Sequence, residues 1–321
     1  MIGNNLETAK HFLEQGNLVA IPTETVYGLA ANALNEAAVL QIFKVKNRPT
    51  FDPLIVHTNS FEKLEQLVSC VPEKAKILAQ HLMPGALTLL LPKKNIIPDL
   101  VTSGLAMVAV RIPQHSLALQ LLESLDFPLA APSANPFGYI SPTTAQHVAA
   151  QLGSKIPYIL EGGECKIGLE STIVGFENEQ VTVFRKGGVS IESIEKLIGR
   201  VQIQEHSSSN PQAPGMLKSH YAPKTPFFLG NIADLLAKYG QKYKKIAVLS
   251  FAILYQKEIS SKVFVAQEVL SPNQDFLEAA HNLFAAMRRL DSLEVDAIFA
   301  ELLPEKDLGR AINDRLRRAA A

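Results

Sequence analysis

Between residues 205 and 226 the chain reads EHSSSNPQAPGMLKSHYAPKTP, with four prolines, four serines and no hydrophobic period. Each proline fixes φ and removes a backbone donor, so helix and central strand are both closed to this stretch. A connection of about 20 residues without regular structure is either disordered or functional. It divides the 321 residues into a first domain over 1–204, an interdomain linker over 205–226 and a smaller domain over 227–321. The linker's second half carries Met216, His220 and Tyr221, groups that a free spacer does not need. They predict a segment that docks over the first domain's cavity and closes it as a lid.

Beyond the linker, apolar strands at 227–229, 246–251, 263–266 and 297–300 alternate with helical patterns at 232–239, 275–290 and 309–318. That alternation predicts a small three-layer α/β domain, Rossmann-like, with a largely parallel sheet. It lacks G-x-G-x-x-G, which argues against a dinucleotide site. In the first 204 residues, strands are expected at 18–21, 54–57, 87–91, 108–112, 129–131, 158–160, 171–174 and 181–184. Helices are expected at 61–68, 72–81, 117–125 and 143–152, and an opening one carries Leu6, Ala9, Phe12 and Leu13 on one face. Such mixed connections predict an α/β fold, a twisted mixed sheet curled around a basic concave cavity. Tyr27-Gly28 is expected to turn tightly at positive φ.

The 31 cations equal the 31 acids, which argues against a module devoted to holding a nucleic-acid backbone. Cys70 and Cys165 have no C-x-x-C partner, so neither a zinc site nor a disulfide framework is expected. The first 20 residues show no cationic start leading into an apolar core, and no apolar run reaches the ~20 residues that span a bilayer. The expectation is a soluble, cytoplasmic protein with free thiols.

Four places carry chemistry. In FKVKNRPTFDPLIVH (43–57), a helical pattern through Ala38, Ile42 and Val45 must stop before Pro49, leaving Lys46 and Arg48 on a turn above the strand that ends in His57. The two cations either complement the helix's negative end or face an anion. In PLAAPSANPFGYISP (128–142), four prolines stiffen a loop carrying Ser133, Asn135 and Ser141, which suits an oxyanion site without a P-loop. Thr23-Glu24-Thr25 follows a strand end; Thr25 either reaches a ligand or starts a helix. Arg111, inside the apolar run VAVRIP, needs an anionic partner, either an internal acid or a ligand carboxylate. Arg185 ends a strand, where solvated charge is the simpler reading.

The motifs PTETVYGL (22–29), KNRP (46–49), PLIVH (53–57), PGALT (84–88), VAVRIP (108–113), PSAN (132–135) and ESTIV (170–174) stand in order. Together they resemble the YrdC-like threonylcarbamoyl-adenylate synthases. GMLKSHYAP (215–223) and LGRAINDRLRRAA (308–320) extend the resemblance to the long, two-domain form of that family, over essentially the whole chain.

The resemblance implies that L-threonine, bicarbonate and ATP give threonylcarbamoyl-AMP and pyrophosphate. The product would pass to a tRNA threonylcarbamoyl transferase, for the adenosine beside the anticodon. It places Thr25, His57, Arg111, Ala131 and Ser171 around threonine, with Arg111 and His57 on its carboxylate. Lys46, Arg48, Ser133 and Asn135 would surround the phosphates, and Asp52, the backbone at Met107, Ser141, Arg185 and Tyr221 would complete the ATP site. Mg2+ would travel with the triphosphate, and contact with tRNA would be weak or indirect. Two alternatives stand beside it: an RNA-binding module using the same basic cavity, and a carbamoyl-phosphate-type transferase.

Overall fold

Short apolar runs bounded by proline, glycine and polar residues form the frame of the molecule. The computed structural model describes residues 1–177, 180–204, 213, 214, 216, 220–255 and 263–321. The chain divides into two units. The first takes Met1–Phe137, Ser141–Lys166 and Glu170–Leu217; the second takes Gly138–Ile140, Ile167–Leu169 and Lys218–Ala321. The second unit thus starts ahead of residue 227 and draws two short pieces from within the first 204 residues.

The first unit's strands are β1 (Ile2–Gly3), β2 (Val19–Ile21), β3 (Gly28–Asn32), β4 (Ile55–His57), β5 (Leu87–Pro92), β6 (Met107–Arg111), β7 (Leu129–Ala130), β8 (Tyr158–Leu160), β9 (Thr172–Glu177), β10 (Gln180–Arg185) and β11 (Gln202–Ile203). Among the described residues they make one mixed sheet in the order β1-β8-β2-β3-β7-β4-β6-β5-β9-β10-β11. Two registers position the site. The parallel pair β4/β6 sets His57 beside Arg111, and the antiparallel pair β5/β6 sets Leu90 opposite Ala109.

Side chains alternate between the two faces of a strand. Val56, Leu89, Val108 and Val110 face a core shared with Ile42, Leu78 and Val148 from the helices Glu36–Lys46, Glu73–Leu82 and Ala145–Leu152. Ile55, Leu90, Ala109 and Ile173 form a second cluster, which is closed by Ala213 and Met216. The linker is therefore not a free spacer along its described part: Met216 is fully buried in the first unit. Residues 205–212, 215 and 217–219 of the expected linker lie outside the described residues.

The helix Glu36–Lys46 begins where Asn35 Oδ1 accepts from the Ala38 N–H at 3.2 Å and ends at Asn47, left-handed at φ 53°. This cap, followed by Pro49, delivers Lys46 and Arg48 to the turn. Two local expectations are corrected. Gly28 is no positive-φ turn residue: it opens β3, paired with Ile21, and a Cβ there would stand 3.2 Å from Ala131 Cβ. Close approach, not a turn, calls for the glycine. Nor does Thr25 start a helix, since β3 follows it.

The second unit holds β12 (Phe227–Leu229), β13 (Ile246–Ser250), β14 (Phe264–Val269) and β15 (Ala297–Ala300) in the order β12-β15-β13-β14, all parallel. Ile246, Val248 and Phe299 pack with Ile232 and Leu235 of the helix Ile232–Tyr239. Ala247 and Leu249 are also buried, and the long helix Phe276–Asp291 packs on β13 and β14, giving helices on both faces. Tyr221 belongs here. Buried and left-handed at φ 65°, it stacks on Phe284 at 5.5 Å, with the guanidinium carbons of Arg315 and Arg318 at 5.0 and 4.7 Å from its ring. No helix among the described residues is long and apolar enough to cross a membrane.

Candidate active site

After β2 the chain turns on Thr23, whose Oγ1 accepts from the Thr25 and Val26 N–H groups at 3.1 and 3.2 Å and donates to Val26 O at 2.6 Å. This turn directs Glu24 and Thr25 inward, where both are buried. Arg111 meets them from the end of β6. Its Nη1 donates to Thr25 Oγ1 at 2.9 Å, its Nε donates to Gly85 O at 3.1 Å, and its Nη2 lies 2.8 Å from Glu24 Oε1. The pair is closed to solvent, with side chains 4% and 3% exposed. The Nη2 contact is an ion pair without hydrogen-bond alignment: Arg111 Nη2 and both Glu24 oxygens are buried with no hydrogen-bond partner.

His57 stands on the neighbouring strand. Burial first, and the charge of Arg111 second, push its pKa down to about 3, so the imidazole is neutral near pH 7. Its Nδ1 also lacks a hydrogen-bond partner. His57 therefore offers the site a neutral hydrogen-bonding group and not a second cation.

Lys46 and Arg48 are turned inward. Lys46 Nζ donates to Ser133 O at 2.6 Å and Asn135 O at 2.5 Å, pinning the proline-bounded loop from below. Burial, and then the charge of Arg48, hold its pKa well below the usual lysine range, against the opposing pull of Asp52 and Glu170. Arg48 donates from Nε to Asp52 O at 3.0 Å and from Nη2 to Pro53 O at 2.8 Å. Its Nη2 also pairs with Asp52 Oδ2 at 3.0 Å. Both side chains thus reach backbone carbonyls outside the helix, those of Ser133 and Asn135 for Lys46 and of Asp52 and Pro53 for Arg48. The loop is also held through the Ala134 N–H, which donates to Tyr27 O at 2.8 Å, and a bridge between Gly28 and Ser133.

Ser141 Oγ donates to Glu170 Oε1 at 2.5 Å. The next residue, Ser171, is hydrogen-bonded through Oγ to Thr88 Oγ1 at 2.7 Å and accepts from Arg185 Nη2 at 3.0 Å. Arg185 is no solvated strand end: it is buried, with Nε on Ser171 O at 3.0 Å and Nη1 on Pro214 O at 3.3 Å. Gly187 permits this arrangement, because a Cβ there would stand 2.2 Å from Glu170 O.

Two clusters result. One gathers Thr25, His57 and Arg111; the other gathers Lys46, Arg48, Asp52, Ser133, Asn135 and Ser141. Glu170 adjoins the second through Ser141, and Ser171 is hydrogen-bonded to Thr88 on β5, the strand paired with β6. Ala131 donates its N–H to Ile55 O at 2.9 Å, at the foot of β4. Met107 begins β6 while Arg111 ends it, about 13 Å along the strand from the first cluster. With Leu90, Pro92 and Phe184 it lines a hollow of about 340 Å³. Sequence reasoning placed Glu24 in the polar tripeptide after β2, and Thr88 and Glu170 in motifs, without giving any of the three a role. For Glu24 a signal existed, since a buried arginine demands an acid.

Among the described residues no three His, Cys, Asp or Glu side chains gather as metal ligands. Glu24, Asp52 and Glu170 each face a protein partner instead.

Comparison with known proteins covers both units. A family model described as "Telomere recombination" (Sua5_yciO_yrdC) matches residues 11–187, and one described as "Threonylcarbamoyl-AMP synthase, C-terminal domain" matches 189–321. A threonylcarbamoyl-AMP synthase of Pyrococcus abyssi is 43% identical over 98% of this chain and 94% of its own length. One of Bacillus subtilis is 40% identical over 97% and 92%. Among solved structures, P. abyssi Sua5 complexed with L-threonine matches with a TM-score of 0.92 at 41% identity, covering 100% of this chain and 97% of that one.

Proposed function

The chain belongs to the threonylcarbamoyl-AMP synthase family in its two-domain form, and from that premise we propose how its residues perform the reaction. L-Threonine, bicarbonate and ATP give threonylcarbamoyl-AMP and pyrophosphate. The neutral threonine amine attacks the carbon of bicarbonate, a C–O bond breaks and water leaves to give a carbamate, and a carbamate oxygen then displaces pyrophosphate from the α-phosphorus. No enzyme nucleophile is required, so catalysis consists of holding two anionic substrates in line and stabilising the charge on the phosphates.

The assignment of residues rests on one observation, the Nη2 of the buried Arg111, which is ion-paired with the internal acid Glu24 at 2.8 Å yet makes no hydrogen bond. A ligand carboxylate is the group that completes it, with neutral His57 adding a hydrogen bond and Thr25, Ala131 and Ser171 shaping the pocket. On the phosphate side, Ser133, Asn135 and Ser141 present hydroxyl and amide groups from a loop that Lys46 pins. Lys46 and Arg48 then act partly at range, since charge beneath a dry surface is weakly screened. Asp52 and Arg185 complete the frame, and Met107 and Tyr221 are assigned to the nucleotide by resemblance. Magnesium enters as part of the ATP substrate, carried by its phosphates.

The product is a labile mixed anhydride, to be passed to a tRNA threonylcarbamoyl transferase in the cytoplasm. A module gripping RNA needs cations at its surface; here Lys46, Arg48, Arg111 and Arg185 are all buried. Pyrophosphate should appear only when ATP, bicarbonate and L-threonine are all present. A pocket that packs the threonine methyl should disfavour serine by about 10- to 200-fold. Equal rates with serine or alanine would overturn the pocket assignment.

A further inference from the structure

Glu24 is more completely buried than a carboxylate should be without donors. Its side chain is 3% exposed, its Oε1 lies 2.8 Å from Arg111 Nη2, and neither oxygen accepts a hydrogen bond. An ionised carboxylate offers about four lone-pair sites, and burying one costs several kcal/mol unless they are filled. Arg111 spends Nε on Gly85 O and Nη1 on Thr25 Oγ1, and neither of these reaches Glu24. What the pocket lacks is therefore a small donor-rich cation beside a small anion. A free amino acid is that pair in one molecule.

We propose that Glu24 receives the α-ammonium group of the amino-acid substrate, so that Arg111 and Glu24 together match a zwitterion. The inference rests on the reading of Arg111 as the carboxylate site and deepens it. The substrate carboxylate takes Arg111 Nη2, and the ammonium donates into the empty lone pairs of Glu24. The Thr23 turn aims the carboxylate, because its hydroxyl accepts from the N–H groups on the far side of Glu24. The pocket then selects α-amino over α-hydroxy acids before any chemistry occurs. Such selection has a use, since only the amine can become the nitrogen of a carbamate.

The test is calorimetric titration of the full chain with L-threonine and with its α-hydroxy analogue, 2,3-dihydroxybutyrate, between pH 7 and 9.5. The parent protein should bind threonine at least 30-fold more tightly than the analogue at pH 7, and its threonine affinity should fall as the amine titrates. Glu24→Gln should bind the two ligands within threefold of each other, with the pH dependence gone. Glu24→Asp, which keeps the charge, should bind threonine more weakly yet retain both the preference and the pH dependence; it serves alone if Glu24→Gln does not fold. A Glu24→Gln protein that still prefers threonine as the parent does would overturn the proposal. So would an equal loss for both ligands at every pH, or a Glu24→Asp protein with unaltered threonine affinity. Arg111→Lys separates the two readings: unaltered threonine affinity in that variant sinks the carboxylate assignment, whatever Glu24 does.

Discussion

Two arginine–carboxylate pairs are buried in the first unit, and they are built differently. Arg48 and Asp52 are i,i+4 neighbours, 3.0 Å apart, with side chains 5% and 0% exposed. The guanidinium also donates to two backbone carbonyls of its own turn. Arg111 and Glu24 come from distant strand ends, pair at 2.8 Å with equal burial, and leave an Nη2 and two oxygens without hydrogen bonds. Burial alone therefore does not mark a receptor for a ligand. The degree of completeness does: Arg48 is met by two carbonyls of its own turn and only one oxygen of its partner, the Oδ2 it pairs with, accepts no hydrogen bond, whereas the Arg111 pair leaves Nη2 and both Glu24 oxygens short.

The strongest way to break this comparison is to replace each pair by apolar residues of similar size. Such replacements are often neutral for folding or stabilising. Arg48→Met with Asp52→Leu should leave threonine affinity within twofold, while Arg111→Met with Glu24→Leu should lower turnover by roughly 10²- to 10³-fold or more, the scale of losing a preorganised charge contact. Titration calorimetry and a pyrophosphate assay read both. Threonine binding that survives loss of the Arg111 pair, or disappears with the Arg48 pair, reverses the distinction.

Removing one member sharpens it next. Arg48→Ala strands Asp52 in a buried site, which should cost about 3–5 kcal/mol of stability. Denaturant titration measures it, and the KM for ATP should rise while that for threonine stays put. A smaller effect is expected at Gly187, where the added methyl of Gly187→Ala must push Glu170-Ser171 aside. Overpacking of this kind costs about 1–3 kcal/mol. Because Glu170 holds Ser141 and Ser171 holds Thr88, KM for ATP and for threonine should rise together; a change in only one would separate the corners.

Much of the frame was legible because its signals are local. β4 is an apolar run just after Pro53, and the helix Phe276–Asp291 repeats Ala280, Leu283, Phe284, Met287 and Leu290 on one face. The helix Ile191–Ile198 went unread although Ser190 caps it and Ile191, Ile194 and Ile198 carry its period. Two-residue strands such as β1 and β11 have no period to read. Nor does any local pattern say that Gly28 is needed by Ala131, or that Gly138–Ile140 associates with the second unit. In the site, residue types announced Arg111 and the Ser133–Ser141 loop, but partners lay beyond local reasoning. Glu24 for Arg111, loop carbonyls for Lys46 and Ser171 for Arg185 are fixed by strand pairing between distant segments.

The smallest effect concerns the group beside Arg111 that carries no charge. His57 has its pKa held at about 3 by burial and by the guanidinium next to it, against about 6.5 in an unfolded chain. Between those values the unfolded state binds a proton that the native state refuses. Stability should therefore fall as pH drops through this window, by at most about 1.4 kcal/mol per pH unit, and be unaffected above it. Carboxylates add their own slope below pH 5, so the informative range is pH 5 to 6.5, and the informative quantity is the difference between the parent and His57→Gln. That variant keeps a neutral hydrogen-bonding side chain and has nothing to titrate, so its stability should change less with pH across this range. Denaturant titrations at pH 5.0, 5.5, 6.0 and 6.5 supply the comparison. Parallel slopes would mean that His57 takes up its proton in the folded protein, and the Arg111 pocket would then hold two cations at acidic pH instead of one cation and a neutral ring.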